Sequence, residues 1–368
     1  MYIKEIELSN FRNYRDIKLS FSKNVNIFLG NNAQGKTNML EGIYLNAMAK
    51  SFKTIKDKEL IRFGEEFCKI KTIAFFDDDE HTTEIVINKQ GKKAIKIDGV
   101  KIKKTSEMLE RIFIIVFSPD DLKIVKDEPE KRRRFIDREL CQIKPGYFND
   151  LNNYRRVLKQ RNTYLKEENI DMSILDIWDH ELALYGSRII DKRIAFIDKI
   201  DAISRSIHEK ISGGRENLKL KYESDVDISD CCDIRDYEER FYEIIRENRN
   251  TDIRNRTTVT GPHKDDIKIS ADGIDLRKFG SQGQQRTAAL SLKLSEIKLI
   301  EEEMGEKPIL LLDDVLSELD NDRQSYLINS LGENQMFITT TDISGKVARQ
   351  LPEGKILNIV DGQVAIEI

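Results

Sequence analysis

The chain has 368 residues, enough for one large domain or two smaller ones with sizeable cores. Charged residues make up 34%, but the two signs nearly cancel to a formal net charge of -4, so bulk charge does not draw this protein to nucleic acid and DNA would have to be held by local basic patches. Cys68, Cys141, Cys231 and Cys232 lack C-x-x-C spacing and the histidines are scattered, which argues against a zinc site or disulfide framework; with no signal-peptide core and no apolar run near a membrane span, a soluble cytoplasmic protein without a membrane partner is expected.

In chain order, IKLSF puts Ile17, Leu19 and Phe21 on one face and predicts a half-buried strand. VNIFLG, Val25 to Gly30, is a more continuously apolar strand ending at a glycine. Met39, Leu40, Ile43, Tyr44, Ala47 and Met48 then follow at helical spacing. Between Lys71 and Ile102, TTEIVI and AIKI predict strands of an antiparallel meander, with Gln90-Gly91 and Asp98-Gly99 as turns. IFIIVF, Ile112 to Phe117, reads as a buried strand.

From about Glu128 the period becomes helical. Leu151, Tyr154, Leu158 and Leu165 form one stripe, and Ile190, Ile194, Ile197, Ile200, Ile203, Ile207 and Ile211 another. KEENIDMS fits the tip of a helical hairpin whose second helix would reach on the order of 50 Å. A third helix is expected over Asp236 to Arg249, and PILLLDD and QMFITTT predict buried parallel strands. The expected organisation is α/β, with one lobe assembled from residues 1–127 and 256–368 and a helical lobe, 128–255, inserted between them.

GNNAQGKT fits G-x-x-x-x-G-K-S/T, after a strand and opening a helix. Backbone amides of Gly30, Asn31, Asn32, Ala33, Gln34 and Gly35 would wrap the phosphates of a nucleotide, Lys36 would supply a point charge and Thr37 would ligate Mg²⁺. ILLLDD carries Asp313 to a strand's C-terminal end, where it would hold the same Mg²⁺, and Asp314 to a position from which it could polarise the attacking water. FGSQGQQRTAAL, Phe279 to Leu290, holds a second glycine-bearing helix start, with Ser281 as N-cap and Gly283 allowing close backbone approach to an anion.

A phosphate loop, a distant Ser/Gly helix start, an apolar strand ending in two aspartates and then Ser317-Glu318-Leu319-Asp320 resemble the ABC-type ATPase heads of the SMC class. LSNFRNY (Leu8 to Tyr14), AKSFKT (Ala49 to Thr54), VFSPDDLKIVKDEPEKRRRFID (Val116 to Asp137), TGPHKDD (Thr260 to Asp266) and SQGQQRT narrow the resemblance to the RecF family, from the N-terminus to about Asp320. The resemblance implies an SMC-head-like P-loop ATPase lobe with an inserted helical lobe carrying a short antiparallel arm. It further implies a cytoplasmic, nucleoid-associated protein that dimerises on ATP, binds duplex and gapped DNA, hydrolyses ATP slowly, and acts with RecR, and more loosely RecO, to help RecA load at gaps, in support of replication recovery and the SOS response. In that family pattern Ser281, Gly283 and Gln284 cap the γ-phosphate held by a second protomer, and Arg12 is either a further phosphate contact or a strand-end surface arginine.

Two departures from ABC transporters suggest a switch with weak hydrolysis. Phe117-Ser118-Pro119 stand where transporters have a glutamine, and Thr339-Thr340-Thr341 where they have a histidine. His263 reads as a structural turn residue in preference to a nucleotide contact. Lys92-Lys93, Lys101 to Lys104, Lys131 to Arg134, Arg155-Arg156 and Lys192-Arg193 are candidate contacts for sequence-indifferent duplex binding. The rival readings are the head of another SMC-like repair or chromosome-organising complex, which would need a far longer coiled-coil insertion, a transporter subunit, and a metabolic P-loop kinase.

Overall fold

The computed structural model describes residues 1–54, 56–109, 111–227, 231, 233–342 and 351–367. Cys232 and part of the segment beyond residue 340 lie outside them. The chain divides into two compact units, Met1–Leu122 with Lys293–Ile368, and Lys123–Leu292. The first is built from both chain ends, but the borders differ from those expected.

In the first unit, an antiparallel sheet runs in the order Tyr14–Ser20, Tyr2–Phe11, Phe67–Phe76, Asp79–Asn88, Lys93–Ile97, Val100–Lys101. Alternation supplies its buried face: Ile3, Ile6, Leu8, Ile70, Ile85 and Ile87 are all almost fully buried. The second sheet has the order Gln363–Glu367, Gly354–Val360, Val25–Leu29, Met336–Thr340, Ile309–Asp313, Ile114–Phe117. All neighbours are parallel except the Gln363–Glu367 edge strand. Val25–Leu29, Met336–Thr340, Ile309–Asp313 and Ile114–Phe117 are buried with no in–out alternation, as expected where both faces are covered. The Lys36–Met48 helix is buried on nearly every side. Ridges on it meet the first sheet, where a Cβ at Gly42 would lie 3.0 Å from Leu8, and it also packs on the strands Ile309–Asp313 and Met336–Thr340.

Pairing places the chemistry at one edge. Asp313 sits opposite Thr339, and Thr340 opposite Leu29, so the phosphate loop, the acidic strand end and the threonine run all leave the sheet at its C-terminal side.

The second unit holds the helices Pro129–Ile143, Pro145–Tyr164, Met172–Ser212 and Ile234–Asn255 and a three-stranded antiparallel sheet, Ile274–Asp275, Asp266–Ala271, Leu218–Glu223. The hairpin tip falls where KEENIDMS predicts it: one helix ends at Tyr164, and Asp171 caps the next by accepting from Ser173 N at 2.8 Å. That second helix has 41 residues, hence about 60 Å of length, longer than expected. Its buried stripe contains Ile190, Ile197 and Ile200 but continues through Arg193, Asp201, Ser204 and His208. Gly186 is required within it, because a Cβ there would come within 2.2 Å of the Phe241 ring.

The expected 255/256 border fails because strand texture does not say which sheet a strand joins. Asp266–Ala271 pairs with Leu218–Glu223 in this unit, and Arg132 grips Asp266 with Nε and Nη2 at 2.7 and 2.8 Å. Residues 256–292 therefore belong with the helices.

Candidate nucleotide site

The buried strand Val25–Leu29 delivers the chain into a loop whose two glycines are required for different reasons. Gly30 has φ 152, and a Cβ on it would lie 2.4 Å from the Ile359 carbonyl oxygen. Gly35 has φ 110 as the helix N-cap, and a Cβ there would meet Asn13 at 2.5 Å. Donors behind the loop hold its carbonyls: Asn13 Nδ2 and Gly362 N donate to Gln34 O at 3.0 and 3.1 Å, and Tyr14 Oη to Gly35 O at 3.0 Å. Gln34 Oε1 accepts from Asp361 N at 2.6 Å. Asn31, Asn32 and Ala33 form the exposed crest, with Ala33 at φ 66. Such a nest leaves amides to face an anion, at the positive end of the Lys36–Met48 helix.

Lys36 is buried and folds across its own loop, donating to Gly30 O and to Asn31 O, the latter at 3.0 Å. Burial lowers its pKa, while the nearby charges of Asp314 and Asp313 oppose that shift.

Thr37 Oγ1 donates to Asp313 Oδ1 at 2.6 Å, joining the phosphate loop to the acidic strand end. A hydroxyl and a carboxylate so close are a hard-oxygen pair of the kind Mg²⁺ takes beside a nucleotide, so the residues present fit that ion. Thr339 completes the corner: its Oγ1 donates to Asp313 Oδ1 at 3.0 Å and accepts from Asp314 N at 2.9 Å. The sequence marked Thr339 only as a missing histidine; its position opposite Asp313 on a parallel strand is the signal that could have found it. Asp314 has left-handed φ 52, a conformation aspartate tolerates, and opens the turn Val315–Glu318.

Arg12 is engaged by the first helix and the segment after it. Its Nε and Nη2 donate to the two carboxylate oxygens of Glu41 at 2.8 and 2.7 Å, and Nη1 to Glu59 O at 2.9 Å. Glu41 is fully buried on the phosphate-loop helix, so Arg12 neutralises it and anchors that helix.

The other candidate residues lie in the second unit. Ser281 and Gln284 form a capping box: Ser281 Oγ accepts from Gln284 N at 3.2 Å and Gln284 Oε1 from Ser281 N at 2.9 Å. Ser281 and Gly283 are exposed. The Gln282–Met304 helix they open carries the chain back into the first unit.

His263 takes the structural role. Nε2 donates to Thr258 O at 3.1 Å, leaving Nδ1 to accept from Tyr154 Oη at 2.7 Å. Burial, with the charges of Lys264, Arg133 and Arg193, pushes its pKa down to about 4. The folded state therefore holds His263 neutral while the unfolded chain protonates it at an ordinary value, so its contribution to stability is complete above about pH 6.5 and is lost as pH falls toward 4. His208, also lowered by burial, acts in the same direction. Urea unfolding followed by Trp178 emission should show a loss of about 3 kcal/mol across that window, reduced in His263→Gln. An equal acid loss in both proteins would contradict this assignment.

The basic runs divide sharply. Arg132 and Arg193 are buried and bonded internally, which removes them as surface contacts for DNA. Lys93 bonds Asp57 at 2.8 Å, Arg155 bonds Asp137 at 3.0 Å and Lys192 bonds Asp150 at 2.6 Å. Lys92, Lys101, Lys103, Lys104 and Arg156 remain exposed.

The sequence and the fold match known proteins. Residues 2–350 match the family described as RecF/RecN/SMC N terminal domain. The chain is 46% identical over 369 residues to the DNA replication and repair protein RecF of Agathobacter rectalis, covering 100% of this chain and 99% of the relative. It is 44% identical over 372 residues to that of Lachnospira eligens, with both chains covered in full. A solved structure described as "recombination mediator protein RecF-ATPrS in RecFOR pathway" superposes with a TM-score of 0.92 at 39% identity, covering 99% of this chain and 97% of that one. An Smc head bound to the C-winged helix domain of ScpA superposes at 0.59 with 16% identity, covering 100% and 98%, a likeness of fold alone. No helix among the described residues is long and apolar enough to cross a membrane.

The architecture is that of an ABC-type P-loop ATPase head of the SMC kind. Within that class the agreement runs the length of the chain, and the chain belongs to the RecF family.

Proposed function

We propose that this chain is an ATP-dependent, DNA-binding recombination mediator: it dimerises on ATP, binds duplex DNA beside single-strand gaps through phosphate contacts, and helps RecA load during gap repair and replication recovery, with slow hydrolysis resetting it. The observation carrying this reading is the capping box of Ser281 and Gln284 at a helix start where Ser281 and Gly283 are exposed, a positive helix end separate in sequence from the chain's own phosphate loop. The relatives named as RecF, and the structures described as RecF in the RecFOR pathway with ATP, support the same reading. RecR and more loosely RecO are the expected protein partners, in the cytoplasm on nucleoid DNA and within the SOS-linked repair response.

Bound Mg²⁺–ATP would bring the triphosphate whose charge both faces recognise. Gly30 to Gly35 would seat its phosphates and Lys36 would turn from Gly30 O and Asn31 O toward them. Thr37 and Asp313 would hold the metal, and Asp314 would orient water. Ser281, Gly283 and Gln284 of a second copy would close over the γ-phosphate. Thr339, in place of an imidazole, orders Asp313 and Asp314 but is a poor proton acceptor, which favours slow turnover.

Gapped duplex titrated with ATP, ADP and no nucleotide, with sedimentation run in parallel, tests this. DNA retention and dimer should appear together with ATP alone, and affinity should fall steeply with salt. Equal binding by a monomer in all three states would refute the proposal.

A further inference from the structure

A cavity of about 270 Å³ opens in the second unit, where the Pro129–Ile143, Pro145–Tyr164 and Met172–Ser212 helices meet the turn at Pro262. Its wall carries four guanidinium groups, Arg133, Arg134, Arg155 and Arg193, against two carboxylates, Glu130 and Asp137. Asp137 already serves several donors: Tyr147 Oη at 2.5 Å and Arg193 Nη2 at 2.7 Å on one oxygen, Arg155 Nη2 at 3.0 Å on the other. Glu130 is taken by Arg134. Arg133 Nη1 donates to main-chain carbonyls, Asp265 O at 2.7 Å and Lys264 O at 3.4 Å, which are neutral. Burial and the charge of Arg193 lower the pKa of Arg133, although Asp266, Glu130 and Asp265 oppose that shift. Four guanidiniums line this cavity beside two lining carboxylates, a surplus of positive charge on its wall that attracts an anion.

We infer that this cavity is a phosphoryl-anion site, seated on Arg133 and closed by the half-exposed heads of Arg134 and Arg155. Guanidinium forks match phosphate oxygens in charge and geometry, and the two outer arginines are half exposed, so they can turn from their carboxylates to an incoming ligand. At about 30 Å³ per water, the volume accommodates a phosphate with part of its hydration shell. The buried arginine Arg193 fixes the floor through Pro262 O at 2.6 Å and Tyr147 Oη at 3.0 Å. Its ligand is a phosphoryl group from either of two sources, a DNA backbone or free phosphate; the first source rests on the DNA-binding reading above, the second does not.

His263 lines the same cavity, so its ring resonance in histidine-labelled protein reports occupancy there. Pyrophosphate and, separately, a short duplex are titrated into wild type and into Arg134→Gln/Arg155→Gln, with Trp178 emission confirming that the variant is folded. Pyrophosphate should shift His263 saturably in wild type, and the variant should need roughly tenfold more. A duplex that produces the same shift, with a shallower salt dependence of DNA binding in the variant, identifies the DNA source; a duplex without effect beside a pyrophosphate shift identifies the free one. Duplex binding that leaves His263 unmoved, with pyrophosphate also silent, overturns the site and leaves the DNA reading standing. A His263 shift of equal midpoint in both proteins overturns it too. Failure of wild type to bind duplex at all, beside a pyrophosphate shift, removes the DNA reading and retains the site.

Discussion

Lys36→Ala should weaken ATP binding by roughly a hundredfold, about 3 kcal/mol, while leaving the fold intact. The amine is buried at the loop, where burial already disfavours its charge and the nearby Asp314 and Asp313 help to retain it. A triphosphate arriving there meets a cation that is poorly screened by water, so their interaction exceeds that of a surface pair. The amine's present partners, Gly30 O and Asn31 O, lie in a loop held separately by Asn13, Tyr14 and Gly362. Calorimetric titration with ATP and Mg²⁺ provides the check. Affinity within about threefold of wild type would place the nucleotide elsewhere.

Arg161→Met should cost about 3–5 kcal/mol of stability in the second unit. Arg161 is fully buried, with Nε on Asp179 at 2.6 Å and Nη1 on both Asp252 at 2.7 Å and Thr258 Oγ1 at 2.8 Å. It bridges three separated pieces of chain: the Pro145–Tyr164 helix, the Met172–Ser212 helix, and the end of Ile234–Asn255 with the residues after it. Removing the guanidinium leaves two buried carboxylates facing each other. Asp179 keeps Arg249 Nε at 2.6 Å, while Asp252 keeps, among the described residues, the main-chain bond from Val259 N at 2.9 Å. Burial already raises the pKa of Asp252, and losing Arg161 removes the charge that opposes this. Urea unfolding by Trp178 emission, the chain's one tryptophan, reads the loss. Replacing Asp179 and Asp252 by apolar residues together with Arg161→Met should return part of it; a single variant as stable as wild type would show that the bridge contributes nothing.

Much of the nucleotide corner is legible in the sequence because phosphate chemistry restricts residue types at fixed spacing. Gly30 and Gly35 cannot carry side chains, Thr37 must follow the lysine, and Asp313 must end an apolar strand. Thr339 is not legible in the same way, since a threonine at a strand end has many uses and only sheet order brings it to Asp313. The KRRR run misleads for a related reason. Helical rotation turns Arg132 inward to Asp266 and Arg134 outward, so a continuous charge run becomes a buried ion pair beside a surface. Arg161 and Arg193 look like ordinary surface positions of amphipathic helices, yet they sit at the buried centre of polar networks. Their partners lie tens of residues away, and nothing local announces them. The domain border fails for the same cause: Asp266–Ala271 has strand texture suited to either unit, and its pairing with Leu218–Glu223 decides the matter.

In the proposed dimer the Ser281 helix start serves a second copy's triphosphate. Sedimentation velocity of wild type and Ser281→Arg, each saturated with ATP and Mg²⁺, tests it most directly. Wild type should sediment as a dimer and the variant as a monomer, with ATP affinities equal within about twofold. A variant that dimerises like wild type, or a wild type that stays monomeric with ATP bound, would contradict the account.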